Sequence, residues 1–309
     1  MLRQSLQAAA RSGRIKSAVT TAPVSRGLVE RYVSGETIDE ALNVARALHD
    51  EGLYVTLDHL GEDTHDGEQA DAATRAAIVA VERLFESGLA PRADVSVKPT
   101  ALGLKLGADG PKIARDNAAR VASAAKAAGC TVTVDMEDHT STVETLRLVR
   151  DLRADHPDLG AVVQCYLRRT EADCADLAAP GSRVRLVKGA YNEPQAVAYR
   201  SAAEVDRAYV RCLRTLMAGD GYPMIATHDP RLIEIAGALA LINHRSADSF
   251  EYQMLFGVRP EEQRRLAGLG GKVRVYVPYG DDWYGYLMRR LAERPANLGF
   301  FLRSLVTRS

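Results

Sequence analysis

From residue 53 onward the spacing of apolar residues switches repeatedly between two periods. Short β-rich runs alternate with longer stretches in which apolar residues recur every three to four positions, the spacing of a helix with one buried face. The runs are LYVTLDHL (53–60), ADVSVKP (93–99), TVTVDMED (131–138), AVVQCYL (161–167), RVRLVKGAY (183–191), YPMIATH (222–228), DSFEYQMLFG (248–257) and KVRVYVPYG (272–280). Between them lie helix-like segments such as KIARDNAARVASAAKAAG and TVETLRLVRDLRA. This alternation predicts parallel strands joined by right-handed crossovers. Eight units in about 260 residues suit a closed (βα)8 TIM barrel better than an open doubly wound sheet. No GxGxxG follows an early strand to favour the open form, and Gly268-Leu269-Gly270-Gly271 has neither the spacing nor the preceding strand. Two parts are expected: an N-terminal helical segment over 1–50 and a barrel over 51–309. In the first, Ser34 or Thr37 can cap a helix, with Glu40 completing a capping box on Thr37.

Charge and composition narrow the partners. Lys+Arg and Asp+Glu both number 40, so no net field favours nucleic acid or an anionic bilayer. The cysteines Cys130, Cys165, Cys174 and Cys212 form no CxxC pair or zinc-ligand spacing, and read as buried thiols of a reducing compartment. No run approaches the roughly 18 apolar residues needed to span a membrane. The expectation is a soluble cytoplasmic protein. The first 29 residues carry Arg3, Arg11, Arg14, Lys16 and Arg26 with no acidic residue, as a mitochondrial presequence would; the reading adopted is a basic helix of the mature fold.

A barrel active site lies at the C-terminal ends of the strands. The polar residues there are Asp58 and His59, Lys98, Asp135 with Glu137 and Asp138, Gln164, Arg185 and Lys188, Thr227 and His228, Glu251 and Gln253, Tyr276 and Tyr279. Cations mixed with hydroxyls, amides and few carboxylates suit an anionic ligand better than a bare metal, and His59, His139 and His228 show no HxH or HExxH spacing. Lys98 and Lys188 each admit three roles: Schiff-base nucleophile, anion ligand or ion-pair member. In WYGYLMRRLAE, Arg289 and Arg290 diverge by about 100° on a helix. They are either surface cations or two arms around one anion.

Taken in order, SVKPTALG, VDMEDHT, QCYLRR, RLVKGAYNE, ATHDP, FEYQMLFG, VYVPYG and YLMRRLAERPAN resemble the FAD-dependent proline dehydrogenases, in particular the short monofunctional bacterial form. The resemblance covers roughly residues 50–300, and VSRGLVERYVSGETIDEAL resembles that family's N-terminal helical region. It implies a distorted barrel holding FAD non-covalently at the strand ends. Asp135 would lie beside the substrate and Arg185 near flavin N5, both catalytic. Lys98, Arg289 and Arg290 would bind the substrate carboxylate, with Glu293 holding one guanidinium, and Tyr276 and Tyr286 would wall the proline pocket. Met136, Gln164, Arg185, Lys188, Gly189, Ala190, Thr227 and His228 would hold the cofactor. A tyrosine at Tyr286 goes with proline rather than hydroxyproline in this family. ATHDP departs from the family's usual Asn at Asp229.

The implied reaction oxidises L-proline to Δ1-pyrroline-5-carboxylate, the first step of proline catabolism, with electrons passed to a membrane quinone through at least transient contact at the inner face of the membrane. The rival is an aldolase-type Schiff-base lyase using Lys98 or Lys188.

Overall fold

The computed structural model describes residues 29–293, with side chains as far as Arg290; the basic N-terminal stretch lies outside the described residues. Helix α1 (Ile38–Asp50) starts at Thr37, whose hydroxyl accepts from the Glu40 amide while the Glu40 carboxylate accepts from the Thr37 amide. This reciprocal box satisfies two otherwise orphaned donors. Eight βα units follow: β1 (Tyr54–His59), α2 (Gly67–Glu86), β2 (Ala93–Val97), α3 (Gly110–Ala128), β3 (Thr131–Val134), α4 (Thr142–Leu152), β4 (Gly160–Gln164), α5 (Thr170–Leu177), β5 (Arg183–Val187), α6 (Ala202–Ala218), β6 (Tyr222–Ala226), α7 (Pro230–Ile242), β7 (Glu251–Leu255), α8 (Pro260–Gly268), β8 (Val273–Tyr279) and α9 (Trp283–Glu293).

The strands pair in parallel in chain order, and β8 closes on β1, with Thr56 opposite Tyr276. The fold is a (βα)8 TIM barrel. Several ladders stop short of the sequence-predicted ends: β2 at Val97, β3 at Val134, β5 at Val187 and β6 at Ala226. Beyond those points the chain turns across the barrel mouth, as where the Leu102 amide donates to Lys98 O at 3.1 Å. The residues past the ladders therefore sit in loops rather than in strands.

Alternate strand positions divide into two chemistries, as the period of two requires. Val55, Leu57, Val95, Val132, Leu186 and Val275 pack outward with helix residues such as Val81, Leu84, Val121 and Leu213 in one continuous core. The intervening positions point to the axis. TIM barrels generally fill that space with bulky branched apolar side chains, but here it holds Thr56, Asp94, Thr133, Arg183, Arg185, Glu251, Gln253 and Arg274, all buried. Hydrogen bonds from Arg185 and Arg183 to Asp94 join strands β5 and β2, which are not neighbours, so they run through the interior.

Candidate active site

A cavity of about 480 Å³ opens at the C-terminal ends of the strands, within the roughly 300–1,000 Å³ of small-molecule and cofactor sites. The fold brings to its wall Lys98, Asp135, Met136, Gln164, Arg185, Lys188, Gly189, Ala190, Thr227, His228, Tyr276, Tyr286, Arg289 and Arg290. It adds Glu62, Tyr191 and Asp229, which no strand pattern singled out as site residues.

Arg185 forms the floor. Its Nε donates to Gln253 Oε1 at 2.6 Å, Nη1 to Asp135 Oδ1 at 2.7 Å and Ser96 Oγ at 3.1 Å, and Nη2 to Asp94 Oδ2 at 3.2 Å. The guanidinium also lies 5.2 Å from the Tyr276 ring centroid, a cation–π contact. Tyr276 in turn donates its hydroxyl to Asp135 Oδ2 at 2.8 Å. Burial first, and then the Asp135 and Asp58 charges, push the Tyr276 hydroxyl well above its ordinary pKa, so it stays a donor. Asp135 is thereby held by both of its oxygens.

One wall carries cations. Lys98 is paired with the buried Asp58. Burial opposes its charge, but Asp58, Asp135 and Glu62 outweigh that and raise the Lys98 pKa above its ordinary value. Arg289 and Arg290 enter from α9, which is docked by a satellite cluster of Tyr32, Leu60, Val258, Trp283 and Leu287 rather than by the barrel core. Trp283 Nε1 also donates to Glu36 at 3.1 Å. Arg289 Nη2 donates to Glu62 Oε1 at 2.9 Å, and the Arg290 guanidinium lies 5.2 Å from the Tyr286 ring centroid. Thus Glu62, in the loop after β1, holds one arginine; the side chain of Glu293, the expected holder, lies outside the described residues.

The opposite wall is set by a loop packed tightly on Tyr166. Gly189 has φ +117°, and a Cβ there would lie 2.3 Å from the Tyr166 ring. Gly189→Ala is expected to lower stability by about 1–3 kcal/mol, from left-handed strain and overpacking; an unchanged thermal melt would show that the loop yields freely. Gln164 donates to Glu137 O at 2.6 Å and accepts from the Ala190 amide at 3.4 Å. Lys188 donates to Asp206 at 2.6 Å and to Asp229 at 3.3 Å, so the ion-pair role left open by the sequence is present. Asp229 is the N-cap of α7 and accepts from the Arg231 amide at 3.1 Å. His228 Nε2 accepts from the Leu255 amide at 2.9 Å. An amide only donates, so the neutral ring carries its proton on Nδ1.

Not every polar residue near a predicted strand end reaches the cavity. Glu251 opens β7 instead of closing it, and pairs with Arg274 inside the lower barrel at 2.7 Å. His59 and Tyr279 pack edge to face on one another, 5.2 Å between centroids. Asp138 ties its loop to Lys105 and to the Thr140 amide.

Glu137 is buried behind the wall, accepting from the Thr100 amide at 2.9 Å and from its hydroxyl at 2.5 Å. Burial lifts its pKa from 4.5 to about 7, against the pull of the Thr100 bonds. The folded state thus binds more protons than the unfolded between about pH 4.5 and 7, and stability falls as pH rises through that window, by about 3 kcal/mol. Glu137→Gln can keep both Thr100 contacts and should flatten that part of the stability–pH curve. A curve of unchanged slope in denaturant titrations would refute the assignment.

The chain matches the family model for proline dehydrogenase over residues 41–303. It is 37% identical over 281 residues to proline dehydrogenase 2 of Bacillus subtilis, covering 91% of each chain. It is 38% identical over 283 residues to the proline dehydrogenase of Deinococcus radiodurans, covering 90% of each. Among solved structures it resembles proline utilization A from Bdellovibrio bacteriovorus inactivated by N-propargylglycine, with a TM-score of 0.79 at 26% identity. That alignment takes in 86% of this chain but 32% of the other, so the chain spans about a third of that longer protein. A barrel whose mouth gathers these side chains, and relatives of this name matched over nine-tenths of their own length, place the chain in the proline dehydrogenase family, in its short monofunctional form.

Proposed function

We propose that this proline dehydrogenase is FAD-dependent and oxidises L-proline to Δ1-pyrroline-5-carboxylate. When bound, the flavin would supply the two-electron acceptor, taking hydride from proline C5 at N5. The observation that carries this reading is the two-sided cavity: Lys98, Arg289 and Arg290 on one wall, and the Lys188–Ala190 loop beside the Arg185 floor on the other. Gln164, Met136, Lys188, Gly189, Ala190, Thr227 and His228 would hold the cofactor. Gly189 lets its loop pack against the Tyr166 ring, which sets the line of that wall, and Arg185 on the floor presents a cation to an anionic group.

The chain's own work is orientation. Lys98, Arg289 and Arg290 would bind the proline carboxylate, and Tyr276 and Tyr286 would wall the ring. Helix α9 narrows the mouth, limiting water. Asp135, itself held by Tyr276, fixes Arg185 in place, beneath where the reacting atoms would lie. Such positioning turns an encounter into a near-unimolecular step.

A Schiff-base lysine needs a pKa lowered toward neutrality. Lys98 is moved the other way, and Lys188 is engaged by two carboxylates, so the lyase reading loses its nucleophile. The visible spectrum decides between them. Purified protein should be yellow and should bleach on adding L-proline; a colourless protein that borohydride traps on a carbonyl substrate would reverse the conclusion.

The acceptor we propose is a membrane quinone, reached from the cytoplasm by peripheral contact. No helix among the described residues is long and apolar enough to cross a membrane, so such contact would be made at the surface by these residues or by others in the chain. Reoxidation of the proline-reduced protein by a short-chain quinone analogue tests this.

A further inference from the structure

Asp94 is fully buried one layer beneath the cavity and is not part of its wall. Its Oδ2 accepts from Arg185 Nη2 and Thr56 Oγ1, both at 3.2 Å. Its Oδ1 accepts from Thr131 Oγ1 at 2.7 Å, Thr133 Oγ1 at 3.0 Å, and Arg183 Nη1 and Nη2 at 3.4 and 3.5 Å. A carboxylate offers about four lone-pair sites, so donors from five residues saturate it and fix its orientation. Burial would raise its pKa, but Arg183, Arg274 and Arg185 outweigh burial and hold it below the ordinary value, so Asp94 is an anion.

Stability alone is a poor reason for this arrangement. Buried ion pairs are often no better than apolar side chains of equal volume, because desolvation cancels most of the attraction. What an apolar core cannot do is place charge. Arg183 and Arg185 share Asp94 from opposite sides, and Asp135 holds Arg185 from above. Two guanidiniums therefore face two carboxylates, and only Arg185 and Asp135 of the four line the cavity.

We propose that Asp94 is a positioning residue for Arg185 that sets how much of the guanidinium's charge reaches a redox cofactor above it. This rests on the flavin reading. In a site of low dielectric a single charge one layer away is weakly screened. Removing the Asp94 charge leaves Arg185 less compensated and favours the more anionic reduced cofactor. Removing Arg183 does the opposite, since Asp94 is then answered only by Arg185 and the more distant charge of Arg274, and more of its own charge falls on Arg185.

The test is the midpoint potential of FAD-loaded protein, read by spectroelectrochemistry in the wild type, Asp94→Asn and Arg183→Gln. Asp94→Asn should shift it upward by about 30 mV, a tenfold change in the two-electron equilibrium constant. Arg183→Gln should shift it downward. Thr133→Val, which removes one hydroxyl bond and no charge, should lower the melting temperature and leave the potential where it was. Opposite shifts are something a merely structural role would not produce. If only one charge variant folds, the sign of its shift decides. Shifts of the same sign, no shift, an equal shift in Thr133→Val, or loss of the fold in both charge variants overturns the proposal and leaves Asp94 a structural residue. Wild-type protein without flavin, or whose flavin L-proline does not bleach, instead fails the flavin reading, before any variant is compared.

Discussion

Alanine at Arg289 or Arg290 is expected to raise the KM for L-proline roughly 10- to 1,000-fold, equivalent to the loss of about 1.5–4 kcal/mol of charge-assisted bonding. Both guanidiniums line the cavity, and both belong to a helix anchored independently of the barrel core. Their surroundings differ, and so should the two variants. Arg289→Ala also strands Glu62, whose carboxylate then faces the cavity without its cation, so its KM should rise further through repulsion of the substrate carboxylate. Arg290→Ala removes the cation over the Tyr286 ring. Tyr286 then loses a partner that fixes its place, and a smaller loss in kcat should accompany the rise in KM. Steady-state kinetics on folded variants check this. A KM within twofold of wild type would remove the arginine from the substrate clamp.

Arg185→Met should be costly in two separable ways. The guanidinium bonds Gln253, Ser96, Asp135 and Asp94 together, and no methionine atom can replace those donors. Taking one partner from a buried ion pair leaves an uncompensated charge and typically costs about 3–5 kcal/mol. That loss should appear in denaturant unfolding. In protein that still folds, the bound cofactor should become harder to reduce, because the cation nearest the floor of the cavity is gone and Asp135 and Asp94 remain. A lowered midpoint potential would carry the electrostatic role. If stability falls but the potential stays unchanged, Arg185 is a brace and nothing more.

Much of this architecture was legible along the chain, for local reasons. Strand onsets such as Ala93, Thr131, Arg183 and Tyr222 coincide with the predicted ones, because apolar periodicity and the flanking turns are properties of neighbouring residues. The Thr37–Glu40 box was legible for the same reason, being closed within four positions. Strand ends were less so. Lys98, Asp135 and Lys188 follow their strands without a break in composition, yet they lie in loops. Where a ladder ends depends on how the neighbouring strand is staggered, and that is set by barrel closure.

Glu62 shows what sequence reading missed. It sits in a short loop without period or motif, 227 positions from the arginine it holds. Asp94 was visible as one polar residue in a β-rich run, with nothing to say that its partner lies 91 positions away on β5. Glu251 erred in the opposite direction, because an expected strand beginning at 248 placed it too near the mouth.

By itself the sequence determined the βα alternation, the residue types available at each strand end and, through eight motifs in order, the family. Each of these is encoded within a few residues or within one motif. Only the tertiary structure decided which charges meet. It paired Lys98 with Asp58, Lys188 with Asp206 and Asp229, Arg289 with Glu62, and Arg185 with both Asp94 and Asp135. Ion pairing acts between side chains a few ångströms apart, whatever their separation in the chain, and those distances exist only once the barrel has closed.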